Sequence, residues 1–193
     1  ITACGRELTR VVAHFGSAYM DEMIKMKNEE VPFENIDLSF KTVKGFEDIK
    51  NRHNALYGDT DSAMFWIGKV IRGIYGDLSL DEKLNHAWNI IRRTSRFINE
   101  YVIKFLLEKK NIDFNDKDSG YNYSYKEEWV SENIVFGIQK KQYAMHMVLK
   151  NGKRLDKIDV TGMTIIKSDT PRFAREFGSK LVNYILKDYD SSN

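Results

Sequence analysis

Two carboxylates stand one residue apart in Tyr57-Gly58-Asp59-Thr60-Asp61-Ser62, and they are the side chains of this sequence best suited to chemistry. Ala55-Leu56-Tyr57 leads into them and Ala63-Met64-Phe65-Trp66-Ile67 follows at once. A strand, a tight turn and a second strand are therefore expected over residues 54–67. Such a turn holds Asp59 and Asp61 at an exposed rim, where two negative charges can share a divalent cation. Mg²⁺ suits them: it takes oxygen ligands in near-octahedral geometry, usually one or two carboxylates completed by waters and substrate phosphates.

Other owners of an Asp-x-Asp pair fit less well. An EF-hand loop needs a central Gly and a Glu at its twelfth position. Counted from Asp59, the sixth position is Met64 and the twelfth is Val70. A phosphatase of the haloacid dehalogenase type carries a similar pair after a buried parallel strand, within a strand–helix alternation that this sequence lacks. A solvated turn without function is the bland alternative, and the full hexapeptide with its apolar flank weighs against it.

The elements that must position this turn follow from the rest of the chain. Its 193 residues suffice for one domain or a compact piece of a larger protein. With 42% apolar and 30% charged residues, a soluble core is expected, and no apolar run approaches the ~20 residues of a membrane span. No secretory signal is visible, and the single Cys4 has no internal disulfide partner, so an intracellular, cytoplasmic home is expected. The chain begins with Ile1 rather than Met, as a fragment would. Net charge is +2, but residues 134–187 hold eleven basic and four acidic side chains. A basic C-terminal third joined to an acidic, metal-capable turn suits a phosphate-rich partner; a plain solvated face is the competing explanation.

Leu8, Val12, Phe15, Tyr19, Met23 and Met26 recur at helical spacing, so an amphipathic helix is expected over residues 1–28, with His14 as a surface or packing residue. Pro32 ends it. Ile36 to Val43 alternates like a strand. Ser79-Leu80-Asp81-Glu82 is a capping box opening a long helix over 80–108. Its apolar stripe is read as Leu84, Trp88, Ile91, Ser95, Ile98, Val102 and Phe105, with His86, Arg92 and Arg93 on the solvent side, where the arginines can meet DNA or another domain. Lys109 to Gly120 reads as a loop, and Tyr121 to Tyr125 as a strand whose tyrosines pack or stack on bases. Residues 134–148 read as one or two strands carrying Lys140-Lys141, with a hairpin at Asn151-Gly152. Asp159 to Pro171 closes the sheet. Thr170 is expected to cap a last helix with Pro171 at its first position, an apolar face of Phe173, Phe177, Leu181 and Tyr184, and a basic face of Arg172, Arg175 and Lys180.

Several of these pieces resemble the family B DNA polymerases. Tyr-Gly-Asp-Thr-Asp-Ser resembles the family's motif C, and Lys140-Lys141-Gln142-Tyr143 is similar to its Lys-Lys-x-Tyr motif. The family usually has Arg where Gln142 stands, which leaves one phosphate or groove contact in doubt. Ile1 to Leu8 resembles the helix after motif B. Residues 159–171 are similar to the palm–thumb junction, with spacings closest to bacteriophage-type enzymes. The co-linear order covers nearly the whole chain; motif A, motif B and a proofreading exonuclease are not found in it.

The resemblance implies an α+β fold: an antiparallel palm-type sheet with helices packed on one face, plus the first helix of a thumb. It implies a partial palm over 1–169 and the start of a thumb over 170–193. It implies template-directed addition of deoxynucleotides to a primer 3′ end by two-metal phosphoryl transfer, inactive without the half that carries motifs A and B. Asp61 would be the main shared metal ligand and Asp59 its neighbour, with two Mg²⁺ ions in the complete site and Mn²⁺ as a substitute. Lys140, Lys141, Tyr143, Lys167, Arg172 and Arg175 would contact DNA. Implied partners are primer–template DNA, deoxynucleoside triphosphates, the remainder of the polymerase (motif A and B, exonuclease and fingers) and a sliding clamp, with no membrane. A non-catalytic DNA-binding or bracing piece of a polymerase is the second reading, and a metal-dependent phosphatase the third.

Overall fold

The computed structural model describes residues 2–36, 54–58, 62–109 and 124–188. The strand expected over 36–43 lies beyond Ile36 outside the described residues, as do Asp59, Thr60 and Asp61, most of the loop expected over 109–120, and 121–123. The chain forms two compact units, Ile1–Glu127 and Glu128–Asn193.

The first unit is built around α1, Thr2–Met26. Val12, Phe15, Tyr19 and Met23 of the expected stripe are all but fully buried. So are Thr9, Val11, Ala13, Ser17 and Met20, which occupy the helix's other faces. The expected amphipathic helix forms, with burial reaching beyond the expected stripe, while Arg10, Lys25 and Met26 stay exposed. Its neighbours are a two-stranded hairpin, β1 (Ala55–Gly58) with β2 (Ala63–Phe65), and two helices, α2 (Ile67–Tyr75) and α3 (Leu80–Phe97).

The capping box at α3 forms as expected. The Ser79 hydroxyl accepts the Glu82 N–H, and Glu82 accepts from the Ser79 backbone N–H at 3.0 Å. Leu84, Ser95, Ile98 and Val102 of the expected stripe are buried; Ala87, Ile90, Thr94 and Phe97 are buried with them, while Trp88 and Ile91 are half-exposed. Bulk suggested the stripe, but the smaller Ala87 and Thr94 permit close approach to the core. Arg93 bonds Glu30 at 2.5 Å, and Arg92 lies 4.0 Å from Glu127, so both arginines have acidic partners within the unit. His86 is half-buried, stacked on Tyr75 at 3.9 Å, rather than solvent-facing.

The long helix loosens into a π turn over Ile98–Ile103 before α4, Lys104–Lys109. There the Asn99 amide donates to the Tyr125 carbonyl at 2.6 Å and accepts its N–H at 2.8 Å, and Ser95 donates to the same carbonyl at 2.8 Å. Tyr125 therefore has its backbone satisfied by side chains and is not in a strand, contrary to expectation.

Tyr19 is fully buried, stacked on Phe97 at 4.6 Å, and donates its hydroxyl to the Val31 carbonyl at 3.0 Å. Burial raises its pKa from about 10 to about 12. The unfolded chain thus ionises first, so stability is full below pH 10 and lost as pH rises toward 12, by roughly 2 kcal/mol from this group at pH 12. Tyr19→Phe is expected to cost about 1 kcal/mol at neutral pH by orphaning the Val31 carbonyl and to flatten this part of the alkaline denaturation profile. Denaturant melts at pH 8 and pH 11 check both effects.

The second unit is a three-stranded antiparallel sheet in the order β3 (Trp129–Phe136), β4 (Tyr143–Lys150), β5 (Lys153–Thr161). Asn151 and Gly152, at φ 50° and 75°, make the expected tight hairpin between β4 and β5. α5 (Arg172–Asn183) and a π turn over Tyr184–Asp188 lie against the sheet: Val182 and Leu186 pack with Ala144, flanked by Val135, Ile158 and Ile165. Lys187 and His146 both bond the Asp156 carboxylate, holding its pKa below the usual range, Lys187 having the larger effect.

Three expectations are corrected here. The packed face of α5 carries Gly178 and Val182, not the phenylalanines; Phe173 and Phe177 are 79% and 60% exposed. Gly178 wins because a Cβ there would lie 2.4 Å from the Ile165 side chain, a closeness that only glycine tolerates. Thr170 does not cap the helix: its hydroxyl donates to the Thr164 carbonyl at 2.7 Å, and Pro171 takes the cap position. The segment after Thr161 leaves the sheet and turns through a short 3₁₀ helix, Thr164–Ile166.

The α+β class and the antiparallel pairing hold. Among the described residues the strands form two sheets, one in each unit. No described helix is long and apolar enough to cross a membrane.

Candidate functional site

The hairpin pairs as the sequence predicts. Gly58 faces Ala63, Tyr57 faces Met64 and Ala55 faces Phe65, so residues 59–62 form the connection. A bulge falls between Ala55 and Tyr57. Bulges sharpen local twist and re-aim what a strand carries. Asp59 and Asp61 themselves lie outside the described residues, bracketed by Gly58 and Ser62.

The hairpin is held at both ends. At its open end the Trp66 N–H donates to the Asn54 carbonyl at 2.6 Å. The fully buried Asn54 amide donates to Asp21 at 2.7 Å and lies 3.5 Å from the Ser17 carbonyl oxygen, both on α1. At the same end, Gly16 meets the Phe65 ring, which pairs with Ala55, so closely that a Cβ would lie 2.7 Å from Cζ. Near the tip, a Cβ on Gly58 would stand 3.4 Å from the Thr9 methyl, and the Thr9 hydroxyl is 3.3 Å from that of Tyr125.

The six basic and aromatic candidates lie in the second unit. Lys140 and Lys141 occupy the turn joining β3 to β4, not a strand, which corrects the expected placement. Lys141 is in the left-handed region at φ 63°. Gly137 donates its N–H to the Gln142 carbonyl at 2.7 Å, closing the turn. The Gln142 amide donates to the Gly162 carbonyl at 3.2 Å and to the Gln139 side chain at 3.3 Å. Gly162, at φ 65°, comes so near that a Cβ would fall 2.2 Å from the Lys141 carbonyl oxygen. Tyr143 opens β4, half-buried, opposite Phe136 and Thr161. Lys167 is exposed just past the 3₁₀ helix, Arg175 is half-buried, and Arg172 bonds Glu176 at 2.7 Å. The turn thus presents two lysines at one end of the sheet, while Lys150, Lys153 and Arg154 gather at the opposite end. Clustered lysines on a tight turn are suited to phosphate oxygens.

The sequence profile of a family described as Divergent Family B DNA polymerase matches residues 38–193. This chain belongs to the divergent family B DNA polymerases. Neither the curated proteins nor the solved structures give a match.

The matched span takes in the hairpin, the Lys140-Lys141 turn and α5, whereas α1 precedes it. Among the described residues no group of three His, Cys, Asp or Glu side chains is placed to hold a metal ion, and the two hairpin aspartates are not among those residues. Sequence reasoning missed Asn54, Asp21, Gly162 and the structural use of Gln142. An Asn before a short strand carries no periodic signal. Gly162 does carry one, since Thr-Gly at a strand end is a turn cue. The departure at Gln142 has a local use: its amide serves the turn's own backbone.

Proposed function

We propose that this polymerase chain supplies part of a catalytic palm over residues 1–169 and the start of a thumb over 170–193. In this reading it adds deoxynucleotides to a primer 3′ end on a DNA template, together with the polypeptide that carries motifs A and B, in the cytoplasm. The observation that carries the reading is the antiparallel hairpin whose register leaves Asp59 and Asp61 within a four-residue connection. Paired carboxylates offer hard oxygen donors, the chemistry that Mg²⁺ or Mn²⁺ accepts. Asp61 would be the main ligand and Asp59 would sit beside it. Two bound Mg²⁺ ions would acidify the primer 3′-hydroxyl and balance charge on the triphosphate.

Lys141, with Lys140 and Tyr143, would hold the primer terminus by its phosphates. Lys167, Arg172 and Arg175 would lie along the duplex, and these contacts would make affinity salt-dependent. The partners would be primer–template DNA, deoxynucleoside triphosphates, the remainder of the polymerase and a sliding clamp.

Primer extension with Mg²⁺ tests this reading, with the chain alone and mixed with the motif A and B polypeptide. Extension in the mixture, lost with Asp61→Ala, is the expected result. Salt-sensitive DNA binding without extension in the mixture would make the chain a bracing piece of a polymerase instead.

A further inference from the structure

We propose that the cleft between α2 and the start of α3 binds single-stranded nucleic acid, with the Trp66 indole as a stacking platform and Lys69, Arg72 and Lys83 as phosphate contacts. The site lies within the first unit and uses neither the hairpin aspartates nor the Lys140-Lys141 turn. Its volume is about 190 Å³, below the roughly 300–1,000 Å³ of sites that enclose a small ligand. Such a cleft admits one ring and leaves the rest of the molecule outside, as suits a strand passing over the surface.

Trp66 is placed for contact rather than for the fold. It stands at the N-cap of α2, where Ser, Thr, Asp or Asn usually serves, and its side chain makes no cap bond. Its exposure is 53%, although tryptophan is highly buried on average. The indole lies against Gly68: a Cβ there would stand 3.4 Å from Nε1 and 3.7 Å from Cδ1. The pyrrole side of the ring is thereby held to the helix, and the exposed remainder can take a base. Every base has a π-face, so stacking of this kind tolerates any sequence.

The charges around the ring suit a phosphate backbone. Lys69 and Arg72, three residues apart, share one side of α2, and Lys83 comes from the first turn of α3. Among the described residues neither lysine ammonium has an acidic partner. Arg72 lies 3.6 Å from Asp77, but both side chains are largely exposed, and a pair of that kind holds its members weakly. Three cations thus face the cleft against one carboxylate. A free phosphate would use the lysines and leave the indole idle. A duplex keeps its bases stacked within and offers none to the ring.

The full chain is titrated with a fluorescently labelled oligodeoxythymidylate of about 12 nucleotides, with a blunt duplex as control and thermal melts to check folding. The oligonucleotide should quench indole emission, and Trp66→Phe should remove the quench, since the other tryptophans, Trp88 and Trp129, are half-buried. Trp66→Ala should weaken single-strand binding about 10- to 100-fold, the worth of one stacked base. It should leave the salt dependence unchanged and duplex affinity within about twofold. Lys69→Ala and Lys83→Ala should each lower the slope of log affinity against log salt by about 0.7. Asp77→Asn should tighten binding about two- to threefold, because it removes a negative charge from beside the phosphates.

No quench in the parent chain, or single-strand affinity within about twofold in Trp66→Ala, overturns the proposal. So does an equal loss for duplex and single strand, which would mean that Trp66 only shapes the fold. If the lysine variants alone weaken binding, the cleft is a plain phosphate surface and the stacking site falls. Should Trp66→Ala not fold, Trp66→Phe and Asp77→Asn decide: a quench that survives in the first, or affinity unchanged or weakened in the second, overturns the site.

Discussion

Asp61→Ala is expected to lower nucleotide addition by at least about a thousandfold while leaving primer–template affinity within about twofold. A metal site of the proposed kind contributes several kcal/mol to transition-state stabilisation, and about 4 kcal/mol corresponds to a thousandfold in rate. Affinity should survive because the proposed phosphate contacts lie elsewhere, on the Lys140-Lys141 turn and the start of α5. Asp61→Asn separates charge from shape. It keeps the side-chain volume and should fail nearly as badly, since a neutral amide is a poor Mg²⁺ ligand. Asp59→Ala should cost less, about 10- to 100-fold, as befits a group beside the main ligand. Single-turnover extension over a range of Mg²⁺ concentrations measures all three. Equal losses in Asp59→Ala and Asp61→Ala would reassign both as equal ligands; near-normal rate in Asp61→Ala would remove the metal assignment.

What the sequence made legible, and what it hid, follows from how local each signal is. The Ser79–Glu82 capping box and the Asn151-Gly152 turn depend on residues within four positions of one another, and both form as read. The hairpin around the aspartates was legible for the same reason. α2 was not. Ile67, Val70, Ile71 and Ile74 do carry helical spacing, but they follow directly on the apolar strand, and Gly68 and Gly73 lower the local helix propensity. Tertiary packing overrides that propensity: Val70 and Ile71 are buried, and Gly73 is required where Ile24 of α1 approaches.

The exposed phenylalanines of α5 show the converse. Their size marked them as the packing face, yet the decisive residue is Gly178, which has no side chain to read. Asn54 and Asp21 are 33 positions apart, so their bond could be found only once the fold had brought them together.

Gly162→Ala and Lys141→Gly are expected to move stability in opposite directions and DNA affinity in the same one. Both residues sit in the left-handed backbone region, at φ 65° and 63°. A Cβ at residue 162 meets two penalties. The conformation costs a side chain roughly 1–2 kcal/mol, and the Lys141 carbonyl oxygen 2.2 Å away belongs to backbone, which cannot swing aside. Gly162→Ala should therefore destabilise the second unit by about 2 kcal/mol or more and push the Lys140-Lys141 turn off the end of β5, breaking the Gln142–Gly162 bond. Lys141→Gly relieves a strained non-glycine φ and should gain up to about 1 kcal/mol, while removing a charge.

If the turn holds primer phosphates, both variants bind primer–template several-fold more weakly. Lys141→Gly also reduces the slope of log affinity against log salt by about one, because one fewer counterion is released. Gly162→Ala lowers the slope too, because lysines displaced from the phosphates release no counterions, and it alone of the two also lowers the melting temperature. Thermal melts paired with fluorescence anisotropy at several salt concentrations separate these outcomes. Wild-type affinity in both variants would mean that the turn braces the sheet and touches no DNA.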